Sequence, residues 1–340
     1  MPDNSIVYPG YLNKMFNIKP SVEAKRLALK YGYLPYMIER YLGFLGREKT
    51  LMLLEANEKP LGKSIRCNDY LIGCEELRKR LHAKGIYIEK ISWLPHGYRV
   101  AREKYPIGAT HEYLKGYYYI QRPAAMLPAY VLDPRPGDVV IDLAAAPGGK
   151  TTQIAQLMRD RGLVIAVDIS ERRLKALRNH SKRMGFKSIV AIKADATRYI
   201  SSLRSLARRI LLDAPCTGEG LIRVDKSRKK SRSIKDLEYM YYKQVKMLYI
   251  ALEYLVEGGE VVYSTCSIAP EENEAVIDTV LLNCGDIRVE PLSLRIGVPG
   301  LTSYGDIDFY SKDLRNCRRI YPFHKEDTEG FFLCKLRKNK

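Results

Sequence analysis

Two hydrophobic periodicities divide the chain. Between about residues 20 and 57, apolar side chains recur near helical spacing at Val22, Leu27, Leu29, Met37, Ile38, Leu42, Leu45, Leu51 and Leu54, with Gly32 and Pro35 as breaks. A short mixed stretch follows. Ser64 to Cys67 reads as a strand, Glu75 to Lys84 as a helix, and Ile86 to Glu89 and Tyr98 to Val100 as extended segments. Pro106 to Gln121 is rich in Gly and Tyr, the composition of a connector packed against its neighbours. From Asp138 the pattern changes to apolar strands alternating with amphipathic helices. The strands are Val139 to Ile141, Val164 to Asp168, Ile189 to Asp195, Ile210 to Asp213 and Gly259 to Tyr263. The helices are Lys150 to Arg161, Glu171 to Met184 and Asp236 to Val256, and the extended run Gly330 to Leu336 closes the chain.

Strands alternating with helices of this length predict an α/β domain whose mostly parallel sheet is covered on both faces. The pattern thus gives an N-terminal helical region (1–57), a small α+β module (58–105) and a large α/β domain (106–340), with no internal repeat.

In an open parallel sheet, ligands bind beyond the carboxyl ends of the strands. Four such ends carry suitable groups. The first opens at Asp142 into Leu143-Ala144-Ala145-Ala146-Pro147-Gly148-Gly149-Lys150-Thr151. Small residues there let a ligand approach the backbone, and the start of the next helix favours a carboxylate. Asp168 ends the second strand and can accept both hydroxyls of a ribose. Asp195 ends the third and suits an adenine amino group; Asp213 ends the fourth. Gly149-Lys150-Thr151 hints at a phosphate loop, but that motif needs Gly where Ala144 stands, and Pro147 removes a backbone donor. The Gly-x-Gly-x-x-Gly dinucleotide pattern is missing as well. An adenosine-type cofactor is the better reading.

The chain has 57 Lys and Arg against 39 Asp and Glu, a formal charge of +18 that suits a polyanion. No apolar run reaches the ~20 residues that a membrane span needs, and Met1-Pro2-Asp3-Asn4 does not resemble a secretory signal, so a cytoplasmic protein is expected. Seven cysteines, an odd number with no Cys-x-x-Cys spacing, predict thiols rather than a disulfide frame, and no zinc site. Gln occurs only at 121, 153, 156 and 244, a scarcity associated with heat-adapted proteins.

Two of the cysteines follow strands. Asp213-Ala214-Pro215-Cys216-Thr217-Gly218 comes after the fourth, and Ser264-Thr265-Cys266-Ser267 after the fifth. Any single Cys reads first as a small core hydrophobe. Two in Ser/Thr/Gly turns beyond adjacent strands point to covalent chemistry.

With these motifs the sequence resembles the RsmB/Nop/Sun family of RNA cytosine-5 methyltransferases, over nearly the whole chain from about Ser64. The likeness also includes Gln121 to Pro128 and the closing Asp327-Thr328-Glu329-Gly330-Phe331-Phe332. It implies a Rossmann-like class I methyltransferase domain with a seven-stranded sheet, S-adenosylmethionine as cofactor, and RNA as partner, tRNA first and rRNA second. It implies Cys266 as nucleophile on carbon 6 of cytosine, Cys216 as the thiol assisting product release, and Asp213 shared between cofactor and base. Ala144 to Lys150, Asp168 and Asp195 would line the cofactor site, with Arg173 a basic position beside it. Residues 58–105 are similar to the family's small RNA-binding module. A monomer without metal is expected, and Lys226 to Arg232 reads either as a solvated basic loop or as a phosphate contact. DNA cytosine-5 methyltransferases share Pro215-Cys216 but lack the second cysteine, so Cys266 favours RNA. A non-catalytic RNA-binding factor on the same fold is the remaining alternative.

Overall fold

A computed structural model describes residues 6–339. Contacts divide the chain into two units, each discontinuous in sequence. One holds the residues through Leu61, Ala214–Tyr249 and Ser264–Asn339; the other holds Gly62–Asp213 and Ile250–Tyr263.

The second unit carries two sheets. The smaller is antiparallel, in the order Ile86–Lys90, Gly97–Glu103, Ser64–Cys67 and Tyr118–Ile120. Leu77 and Leu81, four apart on the helix Cys74–Ala83, bury against Ile65, Ile86, Ile88, Tyr98 and Tyr118. Tyr118–Ile120 comes from the expected connector, so this sheet extends past residue 105. Within this unit the larger sheet runs in the order Leu255–Thr265, Ala207–Asp213, Val139–Asp142, Leu163–Asp168, Ile189–Lys193. Three of its pairings are parallel, with registers such as Val140↔Val164, Val164↔Ile189 and Ile141↔Ile210. The helices Gly149–Leu157 and Glu171–Arg183 make the crossovers. The chain moves outward from Val139–Asp142 and then returns to its other side at Ala207–Asp213. That reversal creates a topological switch point between the strands ending in Asp142 and Asp213.

Arg66 ties the two sheets of this unit together. Its strand is buried throughout, and its guanidinium donates to Gln156 Oε1 (3.0 Å), Gln121 Oε1 (2.5 Å), Thr152 Oγ1 (2.9 Å) and the Gly149 carbonyl (2.6 Å). These acceptors are all neutral, and burial pulls the pKa of Arg66 down to about 10.

In the other unit, Ser21 caps the helix Val22–Tyr31 by accepting from the Ala24 N–H, and Gly32 ends it in the left-handed conformation. Pro35 opens the next helix, Pro35–Glu58, where its missing N–H costs nothing; Gly46 (φ 74°) breaks that helix in the middle. Ala24, Leu27, Met37, Ile38, Tyr41, Leu53 and Leu54 pack with Ile222, Ile268 and Tyr321. Val22 and Leu29, counted in the helical pattern, lie 83% and 88% exposed. The helix Ile234–Glu253 and the strand Phe331–Lys338 appear near their expected places. Phe331–Lys338 pairs antiparallel with Ile287–Glu290 and Arg318–Ile320, and the latter with Val298–Pro299. The helix Glu274–Asn283 had no counterpart in the sequence pattern.

The expectation of uniformly reduced cysteines is corrected. Cys67 is bonded to Cys74, and Cys317 to Cys334. The first pair joins a strand end to the start of the next helix, with Cα atoms 5.9 Å apart. The second is cross-strand, because the register Arg318↔Leu333 sets Cys317 opposite Cys334. Compartment reasoning presumes a reducing cytosol, and intracellular proteins of hyperthermophiles are an exception to it. Cys216, Cys266 and Cys284 are outside any disulfide.

The Arg66 fork yields a stability prediction. Lys keeps the charge but cannot reach Gln156 and the Gly149 carbonyl together. Arg66→Lys should lower unfolding free energy by roughly 1.5–3 kcal/mol, the worth of a charged hydrogen bond, measured by denaturant titration. An unchanged midpoint would mean that the cluster does not depend on the fork.

Candidate active site

The site residues named from the sequence fall into two sets, one in each unit.

The first set sits at the carboxyl ends of the parallel strands. Asp142 is buried and accepts the Thr151 hydroxyl at 2.7 Å; burial, reinforced by Asp213, pushes its carboxyl up to about 7. The loop from Ala144 leads into the helix Gly149–Leu157, with Gly148 at its N-cap in a left-handed conformation (φ 103°) that strains any side chain, and with Leu177 packed close by. Asp168 is buried and braces this loop: Oδ2 accepts the Ala146 N–H (3.1 Å) and Oδ1 the Ser170 N–H (2.9 Å). Arg173 lies 3.5 Å from Asp168 Oδ2 and donates to the Ala146 carbonyl, so it belongs to the same turn. Asp195 stands two residues beyond the strand Ile189–Lys193 and accepts from Thr197 at its N–H and hydroxyl (2.9 and 2.7 Å). Lys150 Nζ donates to Asp213 Oδ2 at 2.7 Å, an ion pair across the switch point. Carboxylates at successive strand ends, a small-residue loop and a helix start are a donor and acceptor set that fits an adenosine-type cofactor with a carboxylate tail.

The second set is the cysteine pair. Cys216 Sγ and Cys266 Sγ are 3.2 Å apart and part-buried. Their loops are joined by backbone hydrogen bonds, Ala214 N–H to the Ser264 carbonyl (2.8 Å) and Gly220 N–H to the Cys266 carbonyl (3.0 Å). A Cβ on Gly220 would overlap the Gly330 carbonyl, and Gly330 N–H donates back to the Gly220 carbonyl at 2.9 Å. The closing Thr328-Glu329-Gly330 motif is thereby part of the cysteine framework.

Several residues of this framework were not read from the sequence. Glu272 accepts from the Thr217 N–H (2.8 Å), the Thr217 hydroxyl (2.6 Å) and Gln244 (3.1 Å), and Arg40 pairs with both Glu219 (2.6 Å) and Glu271 (2.5 Å). All are buried. The run Glu271-Glu272-Asn273-Glu274 looks like an exposed acidic turn, and only its position just after the Cys266 loop marks it out. The solvated-loop reading of 226–232 also changes. Lys226 donates to the Asn57 carbonyl, Lys229 to the Tyr31 carbonyl (2.8 Å) and Glu58 (2.5 Å), and Arg228 to the Thr217 carbonyl (2.9 Å). Lys230 and Arg232 remain exposed.

No helix among the described residues is long and apolar enough to cross a membrane. Residues 129–337 match the family model for 16S rRNA methyltransferase RsmB/F, and residues 34–123 the model for the N-terminal domain of 16S rRNA methyltransferase RsmF. The chain is 34% identical over 313 residues to the 25S rRNA (cytosine-C(5))-methyltransferase nop2 of Schizosaccharomyces pombe, spanning 91% of this chain and 51% of that protein. It therefore covers about half the length of such curated relatives. It is 35% identical over 307 residues to the tRNA (cytosine(49)-C(5))-methyltransferase of Pyrococcus abyssi, covering 89% of this chain and 95% of that one. Among solved structures, a methyltransferase homolog protein from Pyrococcus horikoshii matches with TM-score 0.84 and 39% identity, over 94% of this chain and 99% of that chain.

Asp168 gives the cofactor half its test. Asp168→Ala should weaken S-adenosylmethionine binding by roughly 1.5–3 kcal/mol, read by calorimetry on folded protein. Unchanged affinity would remove Asp168 from the site.

Proposed function

The chain belongs to the RsmB/F methyltransferase family, and on that footing we propose that it transfers a methyl group from S-adenosylmethionine to carbon 5 of a cytosine in RNA. The observation that carries the reading is the contact between Cys216 and Cys266, 3.2 Å between sulfurs at two strand-end loops. A DNA-type arrangement uses one cysteine. Two in contact suit a reaction in which one thiol adds and the other helps it leave.

Carbon 5 of cytosine is a weak nucleophile until a group adds at carbon 6. Cys266 forms that bond as its thiolate, and the ring electrons move toward N3 and the exocyclic amino group, where we assign the Asp213–Lys150 pair: Asp213 passes N3 a proton drawn from the Lys150 ammonium and takes it back when the ring double bond returns. Bound S-adenosylmethionine supplies the electrophilic methyl that carbon 5 takes. The proton on carbon 5 then leaves to a base, its electron pair restores the ring double bond, and the carbon–sulfur bond breaks with its pair returning to Cys266. Cys216 assists this last departure.

For the cofactor we assign Ala144 to Lys150, Asp168, Asp195 and Asp213, with Arg173 bracing the loop. The module at 58–105 we assign to RNA contact. Its sheet bears Tyr87, 44% exposed, with Arg102 over the ring, a pairing suited to base stacking. We take tRNA as the first substrate class, supported by the similarity to nearly the full length of the P. abyssi tRNA enzyme, and rRNA as the second.

The two thiols are separable by role. Cys266→Ala should abolish methyl transfer while leaving cofactor binding intact. Cys216→Ala should still attack and methylate, but stay attached to its RNA as an adduct that survives denaturing electrophoresis, requires cofactor and is lost in the double mutant. An adduct formed by Cys266→Ala and not by Cys216→Ala would reverse the assignment.

A further inference from the structure

The two thiols touch at 3.2 Å, and the residues on either side of each are held as well. Thr217 follows Cys216 and Ser267 follows Cys266. Both are bonded to one carboxylate, that of Glu272. Its Oε1 accepts the Thr217 N–H at 2.8 Å and Gln244 Nε2 at 3.1 Å, its Oε2 accepts the Thr217 hydroxyl at 2.6 Å, and the Ser267 hydroxyl is hydrogen-bonded to it as well. The same Gln244 Nε2 donates to the carbonyl of Pro215, the residue before Cys216, at 2.8 Å. Glu272 is fully buried, as is Gln244.

We propose that Glu272 is the positioning residue of the cysteine pair: one carboxylate grips the residue after each thiol and so fixes the distance between the two sulfurs. This rests on the reading of Cys266 and Cys216 as the reacting thiols. Only an acid fits the role. Burial pushes the Glu272 carboxyl up to about 7, so above that pH it is ionised and purely an acceptor with about four lone-pair sites, and the four donors aimed at it match that capacity. An amide in its place would turn an N–H₂ group against donors. The neighbouring residue strengthens the clamp. Glu271 is gripped by Arg40 through Nε (2.8 Å) and Nη2 (2.5 Å), and Arg40 Nη1 reaches Glu219, three residues past Cys216, at 2.6 Å. The acidic turn therefore joins the two cysteine loops twice, through Glu272 directly and through Glu271 by way of Arg40. Glu272 touches no reacting atom in this scheme; it acts through Thr217 and Ser267.

The test reads thiol separation apart from catalysis. In a Cys284→Ser background, dibromobimane becomes fluorescent when it bridges two neighbouring thiols, here Cys216 and Cys266 alone, since the other four cysteines are in disulfides. Glu272→Gln should slow bridging and lower kcat for methyl transfer roughly 10–100-fold, the scale of an ångström's misplacement, with KM for RNA and affinity for S-adenosylmethionine unchanged. Thr217→Val and Ser267→Ala each remove one tether and leave the carboxylate in place; each should slow bridging by a smaller factor, and they carry the test if Glu272→Gln does not fold. Glu272→Gln that folds and bridges at the wild-type rate, or wild-type bridging in both tether variants, overturns the proposal. Because bridging needs no turnover, a Cys266→Ala enzyme that still methylates would refute the functional reading without altering the bridging result.

Discussion

Two loops that leave different strands must bring their sulfurs within contact while hiding most of their own peptide groups from water. Buried backbone donors and acceptors need partners, and here they find them in each other. Ala214 bonds to Ser264 and Gly220 to Cys266, and Gly330 closes the circuit on Gly220. The glycine at 220 follows from this constraint, because any side chain would occupy the space of the Gly330 carbonyl. The carboxylates around the loops follow from it too. With polar side chains this deeply buried, a charge survives only if it is paired or saturated with donors. Arg40 is shared between Glu219 and Glu271, and Arg319 pairs with Glu274 at 2.5 Å.

The parallel-sheet unit obeys a different constraint, that of the switch point. Two of its acids, Asp142 and Asp213, end the strands that flank the reversal, and the carboxylates are held by short contacts: Asp142 by Thr151, Asp168 by the Ala146 and Ser170 amides, Asp213 by Lys150. The sequence marks Lys150 as a cofactor-lining residue at the start of a helix. Its ion pair gives it a second part, that of fixing the acid that the mechanism directs at the base. Arg66 extends this organisation to the small sheet by bonding the Gly149 carbonyl and Thr152 at the start of the cofactor helix.

The parallel strands and their acids were legible because four of the strands are apolar runs with a single Asp at or just past the end, and the cysteines because each follows an apolar run. The missed parts have physical reasons. Tyr118–Ile120 is three residues long and pairs with a strand some fifty positions earlier, so no local period announces it. Glu271 to Glu274 are polar residues in a fully buried turn, against the usual meaning of a charged run. In the basic stretch at 226–232 only part departs from a solvated loop, since Arg228 and Lys229 bond to the Thr217 and Tyr31 carbonyls while Lys230 and Arg232 stay exposed. The disulfides escaped because the compartment argument set both aside, and because spacing says nothing of the cross-strand register that faces Cys317 with Cys334. The scarce glutamines turn out to be placed rather than merely few: all four are buried, three around Arg66 and the fourth between Pro215 and Glu272.

The central claim, methylation at carbon 5 by way of a covalent adduct at carbon 6, is tested most directly by the fate of the hydrogen on carbon 5. RNA transcripts carrying tritium at carbon 5 of cytosine, incubated with the protein and S-adenosylmethionine, should release tritium to water in step with methyl incorporation, and the release should vanish without Cys266. Methyl incorporation with the tritium retained would place the methyl on another atom and contradict the account.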